Sequence, residues 1–216
     1  MLQLLPKVPR GRALRLLLIG AHCDDIEIGC GGTVCELLER YPDAQVDWVV
    51  LSSDRERAAE ARAAARLLMG AGRNRRVSLQ RFRNSFFPSQ SAKIKKWFEG
   101  LKKIEPDIVF AHHREDLHQD HRVIGELVWN TFRDHLVLEY EIPKYDGGLG
   151  SPNVFVPLRR ATVERKIGTL MKVFGSQRSK RWFTEDTFSG LMRLRGVECN
   201  AEEGFAEAFY GRKLFL

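Results

Sequence analysis

The sequence predicts a doubly wound, Rossmann-like α/β fold, with a mostly parallel sheet and helices on both faces. Three observations carry that expectation. Short continuous apolar runs recur along the chain and read as strands buried on both faces. Segments with helical spacing of apolar residues alternate with them, as βαβ units require. No repeat, low-complexity tract or linker divides the 216 residues, so the chain reads as one domain over 1–216.

Residues 1–13, with Pro6, Pro9 and Gly11, read as an irregular lead-in. Leu14–Ile19 is the first buried strand, and Gly31-Gly32-Thr33 opens a helix ending near Arg40, with Pro42 as a stop. Val46–Leu51 is the second strand. Ser52-Ser53-Asp54 supplies an N-cap for a helix from Arg55 to Met69, rich in Ala, Arg and Glu and stopped at Gly70/Gly72. A weaker strand falls within Val77–Phe82. Ser89–Lys103 has helical spacing at Ile94, Trp97, Phe98 and Leu101, with lysines opposite. Asp107–Ala111 is a fourth strand, His112–Asp120 a polar loop, and His121–Arg133 a helix. Leu136–Tyr140 and Val154–Val156 read as strands, separated by a Pro/Gly-rich stretch (143–153) expected to be a lid or insertion. Thr162–Phe174 and Glu185–Arg195 read as helices. Ala206–Leu216 is an ambiguous mixture.

Hydrophobic residues make up 44% of the chain, enough at this length for a core without disulfides or a structural metal. A metal site is therefore free to be catalytic. The formal charge of +7 fits an Arg-rich solvated surface, and otherwise an attraction to anionic partners. The densest basic patch, Arg73-Asn74-Arg75-Arg76 with Arg81 and Arg83, lacks the aromatic spacing of a base-stacking platform and any DNA-binding signature. Nucleic acid is not an expected partner. Cys23, Cys30, Cys35 and Cys199 show no CxxC or paired spacing, which fits a reducing compartment. The apolar run after Lys7, Arg10 and Arg12 is too short for a signal sequence or a membrane span. The expected location is cytoplasmic, and a homo-oligomer remains open.

The chemistry-bearing residues form two groups. Ala21-His22-Cys23-Asp24-Asp25-Ile26-Glu27 follows the first strand, and four of the six histidines lie between His112 and His121 together with Asp116 and Asp120. In an open parallel sheet, functional groups gather at the carboxyl ends of strands where the strand order reverses. The first and fourth strands are neighbours there, so the two groups are expected to meet. His22 and Asp25, three apart, can chelate one ion, and a third ligand from His118 or His121 would complete a catalytic set with an open position. Asp24 is then free to act as general base, and the spare histidine to stabilise an oxyanion. Alone, the acidic turn would serve equally well as a helix cap. Gly29, Gly31 and Gly32 lack the spacing of a dinucleotide- or phosphate-binding loop and read as a tight turn beside the metal.

At these residues the chain resembles the PIG-L/LmbE-like family of zinc-dependent N-deacetylases. Its His-Pro-Asp-Asp motif and following Gly-rich stretch correspond to His22-Cys23-Asp24-Asp25 and Gly29-Cys30-Gly31-Gly32-Thr33. Its His-x-Asp-His corresponds to His118-Gln119-Asp120-His121, and its R-x-x-E to Arg57-Ala58-Ala59-Glu60. The resemblance covers about residues 14–135. It implies that His22, Asp25 and His121 bind zinc, or another divalent transition metal such as Fe2+. It makes Asp24 the general base and has His118 meet the oxyanion or protonate the amine. Asp120 would orient His118, and Arg57 would contact the sugar. Asn84 stands near where some members carry an acidic substrate contact. Cys23 replaces the proline, which frees φ at that residue without removing a ligand.

The reaction implied is removal of the N-acetyl group from an N-acetylglucosamine-type conjugate, releasing acetate. The substrate is a small molecule, and the basic surface hints that it is anionic. The competing expectations are a non-catalytic sugar- or nucleotide-binding module of the same fold and a metal phosphoesterase. The second would need more bridging carboxylates than the chain offers.

Overall fold

The run Arg15–Gly20 becomes β1, an interior strand of a seven-stranded sheet. The computed structural model describes residue 8 and residues 11–214. The lead-in expected at Pro6 and Pro9 lies outside the described residues. The other strands are β2 (Gln45–Val50), β3 (Arg75–Leu79), β4 (Ile108–His112), β5 (Leu136–Tyr140), β6 (Val154–Pro157) and β7 (Ala206–Gly211), in the order β3-β2-β1-β4-β5-β7-β6. Pairings from β3 through β5 are parallel, and β7 runs antiparallel to both β5 and β6. The helices are α1 (Asp25–Arg40), α2 (Arg55–Met69), α3 (Phe87–Phe98, continued by a 3-10 turn Glu99–Ile104), α4 (Gln119–Thr131), α5 (Arg160–Val173) and α6 (Glu185–Glu198).

The alternation of a strand explains how β1 is buried twice. Leu16 and Leu18 face one core with Val46, Trp48, Val50 and Phe110. Leu17 and Ile19 face the other, with Val49, Val109 and the α3–α4 residues Ile94, Phe98, Ile124 and Val128. All four β1 side chains are fully buried. β1 and β4 are adjacent with connections leaving in opposite directions, so the switch point lies between them, as expected. Among the described residues, no helix is long and apolar enough to cross a membrane.

Two local expectations change. α1 begins at Asp25 rather than at Gly31, so Gly29, Gly31 and Gly32 lie inside a helix and form no turn beside a metal. Their absence of side chains serves packing. A Cβ on Gly29 would come within 2.3 Å of the Tyr140 ring, and one on Gly32 within 2.8 Å of Leu158 Cδ1. The ambiguous tail contains the strand β7. Its mixed composition arises because Glu207 points inward, where it accepts from the backbone N–H groups of Gly32 and Thr33 and pairs with Lys166 at 2.6 Å. The 143–153 stretch contains no helix or strand and carries Gly147 and Gly148 at positive φ.

Candidate metal centre and active-site cleft

The turn after β1 and the first turn of α4 meet at the switch point. His22 follows β1 after the single residue Ala21. Its backbone N–H donates to Asp25 Oδ2 at 2.6 Å, which fixes the aspartate at the start of α1. His118 is the N-cap of α4, its Nδ1 accepting from the Asp120 N–H at 3.2 Å. Asp120 and His121 are thereby delivered on the first helical turn, pointing back to β1.

His22 and His121 are each anchored on the far side of the ring. His22 Nε2 faces Asp120 Oδ2 at 3.2 Å, and His121 Nδ1 faces Asp116 Oδ2 at 3.1 Å. Donation of those two outer protons leaves the His22 Nδ1 and His121 Nε2 lone pairs facing one another at 3.2 Å. Two acceptors held in that way need a positive charge between them. Asp25 closes the triangle, with Oδ2 3.4 Å from His22 Nδ1 and Oδ1 3.5 Å from His121 Nε2. A tetrahedral zinc site with bonds of ~2.0–2.1 Å has ligand-to-ligand edges of roughly 3.3–3.4 Å. The His22–His121 edge has that spacing, and Asp25 turns one oxygen toward each ring, so the residues fit a zinc-sized divalent ion; the carboxylates behind the imidazoles are the usual partners of metal-ligating histidines.

The electrostatics agree. Burial lowers the pKa of His22, but Asp25, Asp120 and Asp24 outweigh it and raise the metal-free value to about 9. Burial and neighbouring His112 push His121 down to about 3. In the absence of a metal, one proton on His22 thus takes the place of the cation. Burial would raise the carboxyl pKa of Asp25, yet His121, His112 and His22 together hold it well below the usual range. Burial and the charge of His22 lower His118, which keeps it neutral with its proton on Nε2 when Nδ1 accepts from the backbone.

The cleft above the cluster has a volume of about 240 Å³, and its inner lining includes His22, Asp24, Asp25, Arg57, Asn84 and His118. All the expected site residues except Asp120 therefore line one space with His121. Asp24 is buried, and its Oδ1 accepts from Arg57 Nη2 at 2.5 Å. Arg57 reaches the cleft as expected of a substrate contact, but its guanidinium is committed to Asp24.

Asp120 meets His118 through its backbone N–H, while its carboxylate faces His22 and also accepts from the Ser85 and Phe87 N–H groups at 2.7 and 3.0 Å. Ser85 is held at φ 63°, a conformation rare for a residue with a Cβ, and this places Asn84 in the wall of the cleft.

Sequence reasoning assigned no role to three further groups. Asp116 binds His121 and also accepts from the His118 N–H at 2.7 Å. Its place two residues before His118 was the available signal. His112 lies 3.0 Å from Asp25 Oδ2. Two sets of three donors lie close enough to share an ion: His22 with His118 and His121, and Asp25 with His121 and His112. The His112 ring, however, stacks on His121 at 3.8 Å and 18°, and two stacked rings cannot both hold one ion in their planes. Its Nε2 also accepts from the Ala21 N–H at 3.0 Å. The third group is the outer wall, formed by Lys144, Tyr145 and Asp146 with Lys180 and Trp182. These come from the C-terminal third, where no motif marks them.

Fold and cleft together define an α/β protein with a His/Asp cluster that could hold a metal ion at its topological switch point. The chain belongs to the PIG-L family. The family model described as PIG-L, GlcNAc-PI de-N-acetylase, matches residues 17–132, which contain the whole cluster. Solved structures share the fold at low identity. N,N'-diacetylchitobiose deacetylase from Pyrococcus horikoshii aligns with a TM-score of 0.68 at 20% identity, over 93% of this chain and 84% of that one. The zinc-inhibited form of teicoplanin deacetylase Orf2 aligns at 0.69 and 14%, over 91% and 97%. GalB, the 4-carboxy-2-hydroxymuconate hydratase from Pseudomonas putida KT2440, aligns at 0.74 and 15%, over 94% and 98%. At these identities the likeness is one of fold.

Proposed function

We propose that the protein is a zinc-dependent N-deacetylase that removes the acetyl group of an N-acetylglucosamine-type conjugate, with Fe2+ as the alternative metal. The observation that carries this reading is the pair of facing imidazole lone pairs, closed by Asp25, beneath a cleft that also holds a carboxylate and an N–H donor. His22, Asp25 and His121 would hold the ion. A divalent cation held there polarises a carbonyl oxygen and makes nearby water more acidic.

The residues above the cluster divide the remaining work. Asp24, fixed by Arg57, accepts the proton of the attacking water. His118 presents its Nε2–H to the oxyanion that develops on the acetamide carbonyl, and the proton taken up by Asp24 passes to the departing amine as the C–N bond breaks. Asp120 and Asp116 hold the two ligand rings in place. Arg57 and Asn84 line the wall on which the sugar would lie. The surplus of basic residues supports an anionic conjugate, and four buried, unpaired cysteines support a reducing, cytoplasmic setting. The 1–216 chain acts as one domain in this reading.

The family membership and the deacetylases among the structural relatives support hydrolysis. The hydratase of the same fold makes addition of water to an alkene the reading to exclude. The deciding experiment measures acetate release from a panel of N-acetylglucosamine conjugates, with and without chelator. Chelator-sensitive release from at least one is expected. No release from any of them would overturn the deacetylase and leave a hydratase or a sugar-binding module.

A further inference from the structure

Lys144 lies at the start of the 143–153 stretch, and its side chain is only 8% exposed although it belongs to a surface loop. Its ammonium has three acceptors. One is Asp116 Oδ2 at 2.8 Å; the others are the carbonyl of Ile142 at 3.1 Å, just before the loop, and that of Gly147 at 3.4 Å within it. The same Asp116 oxygen receives His121 Nδ1 at 3.1 Å. A continuous chain of polar contacts therefore runs from a metal-facing ring through Asp116 to the ammonium around which the loop is wrapped.

The loop supplies part of the cleft's outer wall, through Tyr145 and Asp146. Its other polar holds lie away from the cluster. The Tyr145 hydroxyl accepts from the Arg181 N–H at 3.0 Å. At the far end, Gly150 is bound by its N–H to Glu141 and by its carbonyl to Arg195. Gly148 packs on Leu117. Lys144 is the polar link from this loop to a carboxylate that touches a ligand ring.

We propose that Lys144 is a positioning residue that ties the 143–153 loop to His121 through Asp116, so that metal binding and placement of the cleft's outer wall form one linked equilibrium. This rests on His121 being a metal ligand, as proposed above. A cation between His22 and His121 fixes the His121 ring; the ring fixes Asp116; Asp116 fixes the ammonium, and the ammonium fixes the Ile142 and Gly147 carbonyls. Linkage requires the effect to run both ways, so whatever seats the loop also favours the ion. The wall that meets the substrate would then be fully set only in the metal-loaded protein.

The test is limited proteolysis of the full chain by chymotrypsin, with mass spectrometry reading cleavage after Tyr145 and Leu149. In the wild-type protein, zinc should slow cleavage at these bonds by roughly fivefold or more, the usual range for coupled sites. Lys144→Met should be cut at the rate of the metal-free wild type whether or not zinc is present, and Lys144→Arg should keep part of the protection. Asp116→Asn breaks the chain at its middle and should uncouple the loop in the same way. Zinc leaving wild-type cleavage unchanged would overturn the proposal, as would full protection persisting in Lys144→Met. If a variant fails to fold, as judged by its melting curve, the wild-type comparison decides alone. None of these readouts uses acetate release. A chain that shows zinc protection but no deacetylation keeps this inference and loses the proposed reaction, whereas a chain that binds no zinc loses both.

Discussion

His22 Nδ1 and His121 Nε2 lie 3.2 Å apart, each on a ring whose other nitrogen faces a buried carboxylate. Hydrogen-bonded outward, the rings present two acceptors to one another, an arrangement stable only around a proton or a cation. This relationship sets what a proton, or a cation in its place, would do to the fold.

Stability of the metal-free protein should depend on pH through His22. Its folded pKa is raised from 6.5 to about 9. The contribution is therefore fully present below about 6.5 and is lost as pH rises through about 9. The melting temperature of the metal-free protein should fall over that window, and His22→Asn should flatten the fall. Zinc must displace the same proton, so its affinity should rise with pH there, by up to about tenfold per unit. A zinc affinity independent of pH between those limits, measured by chelator competition, would show that no proton is displaced.

Asp120→Asn separates two roles. If the carboxylate acts through His22, which it faces at 3.2 Å, zinc affinity should fall by about 10–100-fold, as for other partners of ligand histidines. If it acts through His118, turnover should fall while affinity stays. Chelator competition alongside acetate release distinguishes these, and we expect the first.

Asp24 and Arg57 should behave as a pair. Asp24→Asn should retain zinc and fold but lose about 10²–10⁴ in turnover. Arg57→Ala removes the side chain that, among the described residues, is bonded to the Asp24 carboxylate, so kcat should fall more than KM rises. A rise in KM with kcat unchanged would instead give Arg57 the sugar-contact role and detach it from Asp24.

The legible part of this protein was the part with a local signature. Short, mostly apolar runs announced β1, β2 and β4, and the Asp54 cap with its Ala-rich follow-on announced α2. The clustered histidines announced the site. Illegible were features that exist only through long-range contact. The orientation of the Asp120 carboxylate depends on Ser85 and Phe87, thirty-odd positions away. The wall residues Lys144 and Trp182 carry no motif. The glycines of α1 look alike whether they make a turn or accommodate a ring, because the ring belongs to Tyr140.

Gly29→Ala tests the packing role. Tyr140 is fully buried, and its hydroxyl donates to the Ile19 carbonyl at 2.7 Å, so the ring cannot retreat from a Cβ at 2.3 Å. Overpacking of this kind costs about 1–3 kcal/mol, read as a lowered urea midpoint at unchanged m-value. An undiminished midpoint would mean that α1 shifts freely and that the glycine serves something other than fit.

The last prediction concerns the ion pair beneath α1. Lys166 and Glu207 are both about 3% exposed at the side chain. Lys166 Nζ donates to the Ile28 carbonyl and Glu207 accepts from the Gly32 and Thr33 N–H groups, so the pair clamps the helix that carries Asp25 onto β7. Removing one partner of a buried pair leaves an uncompensated charge and costs about 3–5 kcal/mol. Lys166→Met should therefore destabilise strongly. Adding Glu207→Gln keeps an acceptor for the α1 N–H groups while deleting the stranded charge, so the double variant should be more stable than Lys166→Met alone. Equilibrium urea unfolding of the wild type, both single variants and the double variant measures the coupling. A Lys166→Met cost below about 1 kcal/mol would show that water reaches Glu207, and that hydrophobic packing, not the pair, seats α1 on the sheet.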